Sequence, residues 1–211
     1  MVNLPWKIFI LSPARITGKR AALILNPASE LPLAVQLRTS AGVPLGDVFS
    51  FCSSLYFRGK VTYAERFAVA PADLAPAYVI TSSNGLVPSR LRITAATVER
   101  FAGVPIDPAE QRNRAPLLAS ARELYGQLSR DTQVILLGSI ATPKYVEPLL
   151  ECFGGQLLFP TDFIGRGDMS RGGLLLRAAA ANRELAYQQL SGTLKRTGSR
   201  PPKLSRDTSG E

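Results

Sequence analysis

Short apolar runs alternate along this chain with longer segments in which apolar residues recur every three or four positions. Runs at 7–11, 78–81 and 134–137 have the length and composition of buried strands. A fourth strand is predicted at 156–159, after the Gly154-Gly155 turn, and a last one within 184–190. The strands are separated by helical patterns rather than by hairpin turns, which favours a sheet built mainly from parallel strands.

The helical spacing is most regular at 114–128, where Leu117, Ala121 and Leu124 fall on one stripe. Further helices are predicted at 30–37, at 55–67 behind Ser53 and Ser54 as possible caps, at 94–101 and from Pro143 onward. Residues 18–20 and 165–173 are predicted as loops, 42–46 as a turn, and 21–25 as a short strand or a helical turn.

Strand, tight turn, helix and strand follow one another at 133–159, which is the order of a parallel βαβ unit. The predicted fold class is therefore α/β, with a mixed, largely parallel central sheet flanked by helices. Residues 1–196 are expected to form a single domain. Residues 197–211 are rich in Ser, Arg, Lys, Pro and Gly, and we expect a basic disordered tail there.

Composition narrows the function classes. The net charge is +9 and the sequence pI is about 10.0, which suggests a polyanionic partner such as nucleic acid, although a merely basic surface gives the same totals. The chain has no histidine, which removes Ser-His-Asp and Cys-His catalysis and His-ligated zinc. Cys52 and Cys152 are interpreted as small core residues, and we expect no metal and no cofactor. No segment reads as a signal peptide or a membrane span, so a soluble cytoplasmic protein is expected.

Three predicted strands end in similar polar turns, at 12–15, 81–85 and 138–142. If these strands are neighbours, their carboxyl ends meet at one edge of the sheet, where α/β proteins bind ligands. Hydroxyls, backbone N–H groups and helix N-termini at this edge would suit a phosphate or a carboxylate. The alternative is that small polar residues simply cap helices and make turns. The candidate binding residues from these loops are Ser12, Arg15, Ser83, Ser139, Thr142 and the nearby Lys144.

A second group of candidates comes from the Arg166-Gly-Asp-Met-Ser-Arg171 block and from the aromatic pair at 56–57. Guanidinium groups match phosphate or carboxylate oxygens in pairs, so Arg166, Ser170 and Arg171 are predicted to bind an anion. The alternative is a plain turn whose arginines pair with Asp162 or Asp168. Tyr56 and Arg58 are further candidates, because aromatic rings stack bases while cations hold phosphates. A purely structural helix would instead bury Tyr56 and leave Arg58 and Lys60 in solvent.

These short blocks, taken in order, make the chain similar to the YaaA family of peroxide-stress proteins and to YaaA-like domains of unknown function. The matching blocks are 9–15, 55–59, 80–87, 137–145 and 166–171. The last, similar to the family's Arg-Gly-x-Met-Ser-Arg, is the most specific. The resemblance implies a YaaA-like α/β fold, DNA binding and protection of DNA during oxidative stress. Arg15 stands where the family has lysine after Ser-Pro-Ala, and no helix-hairpin-helix motif is found.

Two functions follow as hypotheses. The first is a protein that binds nucleic acid, DNA rather than RNA, through a basic face and an anion-binding pocket at the strand ends. The second is an enzyme acting on a nucleotide or a modified nucleobase in that pocket, with Lys144 as the lysine placed to act as nucleophile or base. The alternative for Lys144 is an exposed lysine in the first turn of a helix, since most lysines stay solvated. A small interaction module whose charge serves only solubility is the third possibility.

Overall fold

The computed structural model describes residues 5–53, 55–140 and 143–190. The predicted tail at 197–211 lies outside the described residues, as does Thr142.

A six-stranded mixed sheet forms the centre of the described chain, in the order β4-β3-β1-β6-β7-β8. The four inner strands run parallel, and the edge strands β4 and β8 run antiparallel to their neighbours. The α/β prediction with a largely parallel central sheet is therefore confirmed. The strands are β1 (Lys7–Leu11), β2 (Val43–Pro44), β3 (Ala77–Ile80), β4 (Leu86–Pro88), β5 (Arg92–Ile93), β6 (Gln133–Leu137), β7 (Leu157–Pro160) and β8 (Tyr187–Gln189); β2 and β5 form a separate two-stranded sheet.

The order of the strands follows from their composition. Ile8 to Leu11 of β1 and Val134 to Leu137 of β6 are apolar at every position and completely buried. Strands that are apolar on both faces suit the middle of a parallel sheet covered by helices on both sides. β1 and β6 pair with each other along their whole length, so the sheet is built around them.

The described residues contain eight α-helices. They are α1 (Lys19–Leu25), α2 (Pro32–Leu37), α3 (Leu45–Ser53), α4 (Leu55–Phe67), α5 (Ala95–Ala102), α6 (Gln111–Gly126), α7 (Pro143–Phe153) and α8 (Asp168–Ala180). α4 packs against α8 and α3, whereas α6 packs against α7. Right-handed crossovers from β1 to β3 and from β6 to β7 move in opposite directions across the sheet, and this places α4 and α7 on opposite faces.

The contact between α4 and α8 is unusually close. A Cβ atom added to Gly59 would lie 2.7 Å from the carbonyl oxygen of Gly172, and one added to Gly172 would lie 2.8 Å from the Cα of Tyr56. The two helix backbones therefore touch where these glycines meet. This contact brings Tyr56 and Lys60 of α4 next to the first turn of α8.

Three local predictions were wrong. The loop expected at 18–20 contains the start of α1, which continues through 21–25 and so selects the helical of the two alternatives given for that segment. The turn expected at 42–46 holds β2 and the beginning of α3. The loop expected at 165–173 ends at Asp168, where α8 begins, so Ser170 and Arg171 lie in a helix. One of the glycines that indicated a loop there, Gly172, is instead required by the contact with α4.

Candidate functional site

A pocket of about 560 Å³ opens at the carboxyl edge of the sheet. We call it the strand-end pocket. The turns after β1 and β3 line this pocket, and the turn after β6 leads into α7, which lines it too. The three turns therefore lie together, as predicted. Its lining comprises Pro13 to Thr17 after β1, Ser82 after β3, Lys144 and Tyr145 of α7, Phe49 of α3, and residues 101, 102 and 104–106 around the end of α5.

The charge of the strand-end pocket is positive. Arg15 is exposed and Lys144 is half-buried, and the described lining residues include no carboxylate. The Lys144 ammonium lies 5.7 Å from the centre of the Tyr145 ring. The apolar side of the pocket is formed by buried side chains, among them Phe49 and Phe101. The pocket therefore combines cations with an apolar, aromatic wall.

Ser12 lies behind this pocket and does not line it. Its side chain is buried, and its oxygen atoms accept hydrogen bonds from the Lys60 ammonium, at 2.5 Å to the carbonyl and 2.9 Å to the hydroxyl. Ser139 follows Gly138 at the end of β6, and a Cβ atom on Gly138 would lie 2.7 Å from the Cβ of Ser12. The ends of β1 and β6 are thus in direct contact at this edge.

Lys60 is the residue that the sequence prediction placed wrongly. It is only 1% exposed, and its ammonium lies 4.5 Å from the Tyr56 ring centre and 4.7 Å from that of Phe57. No ion pair joins it to a carboxylate within the described residues. Burial lowers the pKa of Lys60 to about 7; the Asp168 carboxylate opposes this change and the Arg171 guanidinium adds to it. The signal was present in the sequence, because Lys60 stands four residues after Tyr56 and so shares its helix face.

The two predicted arginines, one just before α8 and one in its first turn, are held in different ways. Arg171 is 7% exposed and donates to the carbonyl of Phe163 from Nε at 3.3 Å and from Nη2 at 3.0 Å. Its third nitrogen lies 3.5 Å from the Asp168 carboxylate, which is the pairing considered from sequence. Arg166 is half-buried and makes one long hydrogen bond, 3.4 Å to the hydroxyl of Ser170. Its Nε is buried and has no hydrogen-bond partner.

Tyr56 faces this turn from α4 and is 7% exposed. Burial raises the pKa of the Tyr56 phenol. The Arg171 guanidinium opposes this rise, and the Asp168 carboxylate adds to it. Arg171 is near but does not reach hydrogen-bond geometry, so the Tyr56 hydroxyl is buried without a partner. Tyr145 of the strand-end pocket also acts on this phenol, which shows that the two regions adjoin.

Two other predicted residues lie apart from this cluster. The hydroxyl of Ser83 donates to the side-chain oxygen of Asn84, and its neighbour Ser82 lines the strand-end pocket instead. Arg58 is exposed on α4, although Tyr56 and Phe57 before it are buried. The sequence thus predicted that the polar turns meet at this edge of the sheet, and it missed the burial of Lys60 and the aromatic wall.

Comparison of the chain with protein-family models, with curated proteins and with solved structures gives no match. The resemblance to the YaaA family therefore stays a prediction that depends on its short blocks. Among the described helices, none has the length and apolar character needed to cross a bilayer. In the same part of the chain, no group of three or more Cys, Asp or Glu residues is placed to hold a metal ion.

Proposed function

We propose that this protein binds nucleic acid, with one nucleotide of the strand held in the strand-end pocket. The observation that carries this proposal is the pocket itself, in which Arg15 and Lys144 accompany an aromatic wall and no described carboxylate. Phosphate oxygens pair with such cations, and bases stack on aromatic or apolar side chains.

The size of the pocket agrees with this ligand. Its volume of about 560 Å³ falls within the range of pockets that hold small organic ligands, roughly 300–1,000 Å³. The net charge of +9 supports a polymer over a single nucleotide, because a basic protein gains affinity from many phosphates at once. The resemblance to the YaaA family supports DNA over RNA and a role in protecting DNA under peroxide stress.

Fluorescence anisotropy with a labelled single-stranded DNA and the matching duplex tests the proposal. The Arg15→Gln, Lys144→Gln double variant should bind at least about tenfold more weakly than the wild type, since a single charge-assisted hydrogen bond contributes roughly 1.5–3 kcal/mol in proteins. Its affinity should also fall less steeply as salt rises, because fewer counterions are released on binding.

A matched control removes the same charge elsewhere. Arg130 and Arg183 are exposed and lie at the amino-terminal edge of the sheet, before β6 and after α8. The Arg130→Gln, Arg183→Gln double variant should keep most of the affinity. Equal weakening of the two double variants would show that charge acts diffusely and that the pocket takes no part. Absence of binding to both DNA forms at low salt would refute the proposal.

A second candidate function is an enzyme that acts on a nucleotide or a modified nucleobase in the same pocket. The observation that favours it is Lys60, which lies behind the pocket with Ser12 rather than in its lining, because a buried amine with a pKa near neutrality can act as a base or nucleophile once the wall opens to a substrate. Lys144, the lysine proposed from sequence, lines the pocket as a cation instead. Incubation with nucleotides and nucleobases followed by mass spectrometry tests this function. Turnover that persists in Lys60→Met would exclude Lys60 from the reaction.

A further inference from the structure

We infer that Tyr56, Arg166 and the first turn of α8 form an oxyanion site beside the strand-end pocket, which we call the α8 site. The inference that an oxyanion binds there is independent of the proposed function. The further statement, that the α8 site holds the second phosphate of a ligand bound in the strand-end pocket, rests on the proposed function.

The first support is the start of α8. This helix has thirteen residues, and its N-cap, Gly167, has no side chain that could accept from the first amide groups. Such N–H groups point outward from a helix N-terminus and, together with the helix dipole, favour a negative charge. A helix start of this kind is common, so the inference depends on the side chains around it.

The second support is the pair of buried polar atoms that lack partners. The Tyr56 hydroxyl belongs to a residue that is 7% exposed, and both charged groups that act on it belong to the first turn of α8. The Nε of Arg166 is the other buried atom without a partner. Buried donors of this kind are rare in folded proteins, and the oxygen atoms of a bound anion would give each of them an acceptor.

The third support is the balance of charge. The permanent positive charges at the site are the guanidinium groups of Arg166 and Arg171, and the nearby buried Lys60 adds a charge only while it holds its proton. Asp168 is the one described acidic group acting on the phenol of Tyr56, and its side chain is 67% exposed. A largely solvated carboxylate can turn away from an incoming anion, whereas the buried cations cannot move away from it. The fixed charge around the α8 site is therefore positive.

The neighbouring pocket defines the class of ligand. Tyr145 lines the strand-end pocket and also acts on the Tyr56 phenol, so the two sites share a wall. A ligand that fills both carries two phosphate groups, one beside Arg15 and Lys144 and one in the α8 site. A dinucleotide step of a strand and a nucleoside diphosphate both have this chemistry.

Calorimetric titration with inorganic phosphate, thymidine monophosphate, thymidine diphosphate and the dinucleotide pTpT tests the α8 site. Whichever of thymidine diphosphate and pTpT binds better should bind at least about tenfold more tightly than thymidine monophosphate, as expected for one added set of charge-assisted hydrogen bonds. Tyr56→Phe and Arg166→Gln should each remove most of that gain and weaken binding of inorganic phosphate. Both variants should leave binding of the monophosphate unchanged. Tighter binding of pTpT assigns the site to a strand, and tighter binding of the diphosphate assigns it to a free nucleotide.

Arg58→Gln is the control, because Arg58 is an exposed arginine on α4, two residues from Tyr56, and its loss changes the net charge equally. Tyr56→Phe keeps the ring that packs on Lys60, and Arg166→Lys is a milder replacement to use if Arg166→Gln unfolds. Binding of inorganic phosphate that depends on Tyr56 and Arg166, without binding of any nucleotide, would support the α8 site and refute the proposed function. Two results would overturn the inference. One is that the Tyr56 and Arg166 variants bind phosphate and both two-phosphate ligands as tightly as the wild type does, and the other is that the wild type binds no phosphate at all.

Discussion

Replacing Lys60 by methionine tests whether this amine loses its proton at mildly alkaline pH. In the unfolded chain a lysine keeps its proton up to a pKa of about 10.4, whereas burial lowers the pKa of Lys60 in the folded protein to about 7. Between these values the unfolded state binds more protons than the folded state. The free energy of unfolding contributed by this residue therefore rises with pH from about 7 upward.

The size of the effect follows from the same pKa. Each pH unit above the folded pKa adds up to about 1.4 kcal/mol, so the rise between pH 7 and pH 9 is about 2 kcal/mol. Burial also raises the pKa of Cys52 to about 11 and that of Tyr63 to about 12, and such groups reduce stability as the pH approaches their unfolded pKa values. They are present in both proteins, so the difference between wild type and Lys60→Met isolates Lys60.

Urea unfolding followed by circular dichroism at pH 5, 6, 7, 8 and 9 measures this difference. The stability of the wild type relative to Lys60→Met should be constant at pH 5 and 6 and should rise by about 2 kcal/mol from pH 7 to pH 9. Lys19→Met, which removes an exposed lysine of α1, controls for the loss of a surface charge. A difference that stays flat up to pH 9 would mean that folded Lys60 keeps its proton, and the reasoning from burial would be refuted.

Two further predictions concern packing and buried hydrogen bonds, and urea unfolding measures both. Gly172→Ala should destabilise the protein by about 1–3 kcal/mol, because its Cβ meets the α4 backbone at 2.8 Å. Gly173→Ala, whose Cβ meets only the flexible Arg177 side chain at 3.5 Å, should be neutral or stabilising by up to about 1 kcal/mol, and equal effects would contradict the contact. Tyr63→Phe should cost about 1–3 kcal/mol, because the Leu185 N–H donates to this hydroxyl at 2.8 Å. Tyr125→Phe, on an exposed ring, should cost less than about 0.5 kcal/mol, and a comparable loss would contradict that account.

The sheet could be predicted where the strands are buried on both faces. β1 and β6 are unbroken apolar runs, and such runs in alternation with helical patterns determine the α/β class. β2, β4 and β5 have two or three residues each, which is too short for any periodicity to show. These strands form because their tertiary neighbours offer partners, and that information is not local.

Only the part of the candidate site that lies in the turns after the strands could be predicted from the sequence. Turns after parallel strands meet at one edge by geometry, which is why Arg15 and Lys144 were found. Lys60 was placed in solvent because lysines are rarely buried. Its partner Ser12 is 48 residues away in the sequence, and only the fold brings them together. The start of α8 was missed for a related reason, since the glycines that allow helix contact are the residues that usually interrupt helices.

The close approach of α4 and α8 connects the stability of this fold with its candidate site. At Gly59 and Gly172 there is no room even for a Cβ atom, so the backbones of the two helices are themselves in contact. This contact holds Lys60 and Tyr56 against the first turn of α8, so it buries an amine and a hydroxyl at the cost of their solvation. An anion in the α8 site would supply the missing negative charge, and Lys60 would then take up a proton as the ligand binds. Calorimetry at pH 7 in buffers of different ionisation enthalpy should therefore detect proton uptake with inorganic phosphate in the wild type. It should detect less uptake in Lys60→Met, and equal uptake in both proteins would separate Lys60 from the site.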